Sequence, residues 1–354
     1  MDDREIYEIS DRILSAITND LNEEHYSAIK GSLKLAWGMK GIFNASAESA
    51  NDIKSPPKHK IVIQDELARQ IYRDAEDYCN FADNELKEER FQNLLTTWKA
   101  APGLPSDLSK DDCCYIMFVG AITWVYFHEL GHLMQEHGYI LKTSGASSNT
   151  LIQECSANFS SESESQFAAL FHVTELSADF EAMTWCILEI IRQFPEDKLR
   201  SVICMLVSGI SCVFFRFNIG NSLTPDNVLT GSHPHPIIRM ELNLSQLFEM
   251  LDMMSNPIKL NLNREAIVSL YSGTSYSGTI FWLWKYGIPE NFENGFLVEG
   301  SFNRTELADY YRTIIGTWDN IEPTIAQLRR FGSPLGVLRF SDEFRQKLAM
   351  QSHS

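Results

Sequence analysis

Two histidines four residues apart, with a glutamate directly after the first, stand in Val125-Tyr126-Phe127-His128-Glu129-Leu130-Gly131-His132-Leu133. On an α-helix, positions i and i+4 share a face, so His128 and His132 can present two imidazoles to one cation. Glu129 projects close to the same point without being a ligand, where it can take a proton from a water activated by the metal. The positions between are uncharged and the preceding stretch is apolar. Two imidazoles and a carboxylate at a buried helix end are costly unless something pairs them. The plain alternative is a helix with two ordinary histidines near its end.

A catalytic zinc takes three protein ligands and keeps one position open. The residues after His132 are Leu133-Met134-Gln135-Glu136-His137-Gly138, which excludes a His-x-x-Gly-x-x-His extension. Glu175, in Glu175-Leu176-Ser177-Ala178-Asp179, could instead complete a site of two histidines and one carboxylate for one zinc per chain. Asp179 falls one helical turn later on the same face, placed to accept a hydrogen bond from a ligand histidine's other ring nitrogen. Ala178 is small enough to let this helix approach the helix of the two histidines. Two alternatives stand beside this reading: an acidic face on a surface helix, and His172, one turn before Glu175, as a rival ligand. A third segment, Gly231-Ser232-His233-Pro234-His235-Pro236-Ile237-Ile238-Arg239, fixes two histidines between prolines and puts an arginine in the next helix's first turn. His233 or Arg239, or else His235, could stabilise an oxyanion beside a metal; the bland alternative is a Pro-stiffened loop.

The chemistry these groups imply is hydrolysis of a peptide bond, with Glu129 passing a proton from water to the leaving amine. Two other readings remain: a non-catalytic zinc-containing interaction protein, and a metal hydrolase acting on a non-peptide amide. Structural zinc commonly uses cysteine among four protein ligands. None of the seven cysteines stands beside the motif, and Cys113 and Cys114 lie about four turns earlier on its helix.

The elements that must hold these residues read as mainly helical. Ile6–Leu21 has amphipathic spacing. Short apolar runs at Leu33–Phe43 and His59–Gln64, around the Ser55-Pro56-Pro57 turn, suggest strands or a hairpin. Asp65–Lys99 returns to helical spacing. Ser109 with Asp112 resembles a helix cap, and the helix it opens should run through the protein centre as far as His137, with Gly138 as its stop. Thr143–Ser165, rich in Ser and Asn, reads as a long exposed loop that could lid the cleft. Helices are expected at Gln166–Phe194, Glu196–Phe215 and Ile237–Met254, with turns through Phe217–Pro236, then Ser272–Gly278, Pro289–Gly295 and Gly332–Gly336. The fold expected is mainly α (α+β), a zincin-like core with a central metal-motif helix and a small N-terminal sheet or hairpin. Residues 1–108 form a mixed region packed on the core, 109–254 the metallopeptidase core, and 255–354 a helical C-terminal region.

The formal net charge of −17 disfavours phosphate backbones, so nucleic acid is not an expected partner. A protein or peptide substrate is. The cysteines lie mostly in apolar helical stretches, which points to reduced thiols and a reducing, cytoplasmic compartment. The most apolar stretches, Cys113–Phe127 and Val202–Phe215, are shorter than the ~18–20 apolar residues that cross a bilayer, so no membrane partner is expected.

His128-Glu129-x-x-His132, then Glu175-x-x-Ala178-Asp179, then His233-Pro234 and Arg239 resemble, in this order, the gluzincin group of metallopeptidases and within it the HtpX-like zinc endopeptidases. The resemblance implies Glu175 as third zinc ligand, Asp179 as its neighbour behind the metal, and His233 and Arg239 along the catalytic cleft. The transmembrane helices of the HtpX-like enzymes are not matched here. Phe118–His132, with Ala121 and Trp124, and Glu175–Trp185 are similar to the soluble phage-exclusion peptidases of the Lit type. That likeness implies a cytosolic protease, acting on a protein such as elongation factor Tu in a phage-exclusion or stress response.

Overall fold

A computed structural model of the chain describes residues 1–49, 53–94, 103–146, 151–153, 167–217, 219, 229–254, 260–287 and 300–351. Helix α1 (Asp3–Leu21) opens on a reciprocal cap, in which Asp2 accepts from the Glu5 amide and Glu5 accepts from the Asp2 amide. It buries one stripe that includes Ile6, Leu14 and Leu21.

The two apolar runs beyond it become β1 (Ser32–Gly38) and β3 (Lys58–Gln64), but they do not form a hairpin. They pair in parallel, from Ser32 opposite Lys58 to Gly38 opposite Gln64. The intervening chain supplies β2 (Ala45–Ser49), antiparallel on the other side of β3. A fourth strand, β4 (Leu151–Gln153), pairs antiparallel with β2 to give the order β1-β3-β2-β4. β4 lies inside the stretch expected to be an exposed loop; three residues are too few to show a strand period. Residues 147–150 and 154–165 of that stretch lie outside the described residues, as do Pro289–Gly295 and half of the expected turn Phe217–Pro236.

The helices that follow are α2 (Asp65–Asp83), α3 (Glu89–Leu94), α4 (Lys110–Met134), α5 (His137–Thr143), α6 (Ala168–Gln193), α7 (Glu196–Phe217), α8 (Pro236–Met254), α9 (Arg264–Tyr286), α10 (Ala308–Leu328) and α11 (Asp342–Met350). Ser109 caps α4 by accepting from the Asp112 amide at 3.1 Å. Every residue from Ala121 to Gly138 is buried, so α4 is the central helix. It ends earlier than expected. Glu136 takes a left-handed conformation (φ 54°), and Gly138 lies inside α5 rather than stopping α4.

Small residues set how closely the helices approach. A Cβ on Gly131 of α4 would lie 3.0 Å from the Ala178 Cα of α6, and one on Gly209 of α7 would lie 2.8 Å from the Met117 carbonyl oxygen of α4. The turn expected at Ser272–Gly278 is absent, because α9 runs through it unbroken. Those small residues serve packing instead: a Cβ on Gly278 would sit 2.6 Å from the Ser211 Cβ of α7. Both α4 and α7 are long and apolar enough to cross a membrane, contrary to the length argument from sequence. Their most apolar windows, however, are 67% and 89% buried inside the fold, which accounts for the apolarity.

Candidate metal centre

His128 and His132 lie one turn apart in the last part of α4, with their Nε2 atoms 3.0 Å from each other. Glu175 reaches them from α6. Its Oε2 stands 3.3 Å from His128 Nε2 and its Oε1 3.3 Å from His132 Nε2. One donor atom from each of the three falls within 4.8 Å of the others. The three residues are 0%, 1% and 4% exposed, so water does little to satisfy them.

The surroundings fix how these donors face. His128 Nδ1 lies 2.8 Å from Asp179 Oδ1. A carboxylate oxygen is an acceptor, so a proton on Nδ1 would meet Asp179 and leave Nε2 a lone pair for a cation. Asp179 is itself held by Arg239 through two bonds, Nε to Oδ2 at 2.9 Å and Nη2 to Oδ1 at 2.7 Å. Trp124 stacks on the His128 ring with centroids 5.4 Å apart. Burial alone would raise the Glu175 carboxyl. The histidines that face it, His233 first and then His132 and His128, outweigh it and hold the group well below the usual carboxylate range. An anion and two imidazole nitrogens converging in a buried place fit a divalent cation, and this donor set is one of those that catalytic zinc uses.

The remaining candidates fall at different distances. Glu129 is fully buried in the same turn of α4. His233 Nε2 is 3.4 Å from Glu175 Oε2, its Nδ1 is 2.8 Å from Ser232 Oγ, and its side chain is 21% exposed. Arg239 is buried, with its guanidinium carbon 4.6 Å from the Phe214 ring centre and Nη2 3.8 Å from Glu175 Oε2. It stands behind Asp179 and Glu175. His235 turns to the start of α8, where its Nδ1 accepts from the Ile237 amide. His172, the rival ligand, has both ring nitrogens engaged, Nδ1 with Tyr310 Oη at 3.1 Å and Nε2 with the Thr230 carbonyl at 3.2 Å. Burial pulls its pKa down to about 4.

Sequence reasoning missed the group under His132. His132 Nδ1 lies 2.9 Å from His137 Nδ1, and His137 Nε2 lies 3.2 Å from Gln135 Oε1. Residues five apart on an unbroken helix point about 140° away from each other, so periodicity separates this pair. The break at Glu136 brings them together.

A family model described as Peptidase U49 matches residues 33–255, a stretch that contains every residue of this cluster except Tyr310. No curated protein and no solved structure matches the chain.

Proposed function

The chain belongs to the Peptidase U49 family, and on that premise we propose that it is a zinc-dependent endopeptidase of the gluzincin type. The observation that supports this is the meeting of His128 and His132 from α4 with Glu175 from α6 around one buried point. Held by these three, zinc would supply a Lewis acid that brings the pKa of a bound water toward neutrality. Glu129 is assigned the proton transfer, taking it from the attacking water and giving it to the leaving amine. His233, partly exposed and with Nε2 3.4 Å from Glu175 Oε2, is assigned the hydrogen bond to the developing oxyanion. Asp179 keeps His128 in the Nδ1-protonated form. Arg239, buried and forked onto Asp179, positions that carboxylate and places positive charge behind Glu175.

The substrate we propose is a cytosolic protein, cut in a phage-exclusion or stress response, as the Lit-type resemblance implies. An acidic chain disfavours nucleic acid as a partner. Six described cysteines are free thiols, in keeping with a reducing cytoplasm.

Metal analysis of the purified chain tests the reading. One zinc per chain is expected in the parent and in Glu129→Gln, and none in His128→Ala or Glu175→Ala. Glu129→Gln should cut peptide hydrolysis by about 10²–10⁴. Parental turnover in that variant, or a parent that takes up no zinc, would sink the proposal. Comparison of protein termini in cells expressing parent and Glu129→Gln would then identify what is cut.

A further inference from the structure

We propose that His137 is the positioning residue of His132, and that a hydrogen-bonded chain through His137, Gln135 and Ser177 fixes the proton of His132 on Nδ1. The inference rests on the metal reading above and names the groups that prepare its second imidazole.

The chain can be followed from its far end, where there is no ambiguity. Ser177 Oγ donates to Gln135 Oε1 at 2.5 Å, and Gln135 Nε2 donates to the Ser177 carbonyl at 3.2 Å. Gln135 Nε2 also lies 3.5 Å from Glu181 Oε2, an acceptor. These contacts set which end of the Gln135 amide is oxygen. Oε1 is then what faces His137 Nε2 at 3.2 Å, so Nε2 carries a hydrogen and donates. His137 is 0% exposed, and a buried imidazole is neutral unless an acid pairs with it. Its one proton is already placed. His137 Nδ1 must accept, and His132 Nδ1, 2.9 Å away, must donate. Nε2 of His132 then carries no hydrogen, and it faces His128 Nε2 at 3.0 Å and Glu175 Oε1 at 3.3 Å.

This gives the two ligand histidines different supports. His128 leans on a charged pair, Asp179 with Arg239, whereas His132 leans on neutral groups within α4, α5 and α6. The contact exists only because the helix breaks after Met134. Glu136 holds a left-handed conformation that is unfavourable for a residue with a β-carbon, and Arg330 secures it. Arg330 Nε donates to Glu136 Oε1 at 2.8 Å, and its backbone amide donates to the Met134 carbonyl at 3.1 Å. With α4 continued through this point, His137 would leave the face of His132.

The experiment uses the full chain, zinc alone as the probe, and two variants. His137→Phe keeps a ring but removes both nitrogens. His137→Asn returns an acceptor at the place of Nδ1. Zinc affinity by chelator competition should fall about ten- to hundredfold in His137→Phe and recover most of that loss in His137→Asn. Nitrogen-15 spectra of the metal-free parent should show His132 protonated on Nδ1. Circular dichroism of the metal-free proteins separates this from a packing fault, which would weaken both variants alike. Should His137→Phe fail to fold, the spectrum of the parent decides alone. A His132 proton found on Nε2, or a folded His137→Phe with parental zinc affinity, overturns the proposal. A parent that takes up no zinc would overturn the metallopeptidase reading instead, and the tautomer would still be measured.

Discussion

His172 and His128 are both buried in the same part of the core, yet their ring nitrogens have different fates. His128 keeps Nε2 for the centre, while His172 spends one nitrogen on Tyr310 and the other on the Thr230 carbonyl. The second arrangement makes His172 a pH-sensitive element of stability. Burial lowers its folded pKa to about 4, against an ordinary value near 6.5 in the unfolded chain. A depressed folded pKa means that the unfolded chain binds the proton first as pH falls. The contribution is therefore complete above about 6.5 and is lost as pH drops toward 4, approaching about 3 kcal/mol. His172→Gln, which cannot take up that proton, should show a flatter loss of urea stability than the parent between neutral pH and about 4. Equal slopes for the two proteins would rule this out. Sequence favoured Glu175 over His172 because Asp179 follows it by one turn; what the spacing did not show is that Tyr310, far along the chain, and the Thr230 carbonyl engage both nitrogens of His172.

The proposed metal site depends on two helices touching, and the touch depends on two residues. Gly131 lies between His128 and His132 and faces Ala178, which lies between Glu175 and Asp179. A methyl group at Gly131 would meet the Ala178 Cα and carbonyl oxygen at 3.0 Å and the Glu181 Cβ at 3.1 Å, contacts with backbone that cannot rotate away. Gly131→Ala is expected to push α4 and α6 apart by a few tenths of an ångström. Stability should fall by about 1–3 kcal/mol in urea unfolding, with weaker zinc binding because Glu175 moves relative to both imidazoles. Unchanged stability and zinc affinity would show that the helices have slack. Ala178 was legible as a close-approach residue, as were α4, α6, α7 and α8, since long helical periods and the Ser109 cap announce them. The sheet was only partly legible. β1 and β3 show as apolar runs, but β2 is Ala45-Ser46-Ala47-Glu48-Ser49, with no large apolar residue to mark it, and without it a hairpin is the natural expectation. The break at Glu136 was hidden for a different reason. No glycine marks it, and the arginine that holds it is 194 positions away.

At the scale of the whole molecule, the C-terminal segment packs against the stretch that the family model covers, residues 33–255, through Glu181, Glu136 and the Met134 carbonyl. Arg329 donates through Nη2 to both oxygens of Glu181, at 2.9 and 2.6 Å, and to the Ser333 carbonyl at 2.7 Å. Glu181 is 0% exposed and sits beside Gln135, the amide at the foot of the His132 chain. Gly332 and Gly336 let the segment lie flat on it, since a Cβ at either would come within 2.8 or 2.7 Å of the carboxylate oxygens. Burial raises the Glu181 carboxyl above its ordinary pKa, opposed first by the Arg329 charge. Arg329→Met removes that charge and leaves a buried acid whose nearest donors are Trp185 and Gln135. The loss should be about 3 kcal/mol, the scale for breaking one side of a buried pair. Adding Glu181→Gln to Arg329→Met should restore part of it, because the uncompensated group is then neutral. Urea unfolding of the parent, Arg329→Met and the double variant measures both steps. An Arg329→Met protein as stable as the parent would mean that the C-terminal segment rests on the core without holding it, whereas the expected loss and partial recovery would make residues beyond 255 part of what keeps the proposed metal centre built.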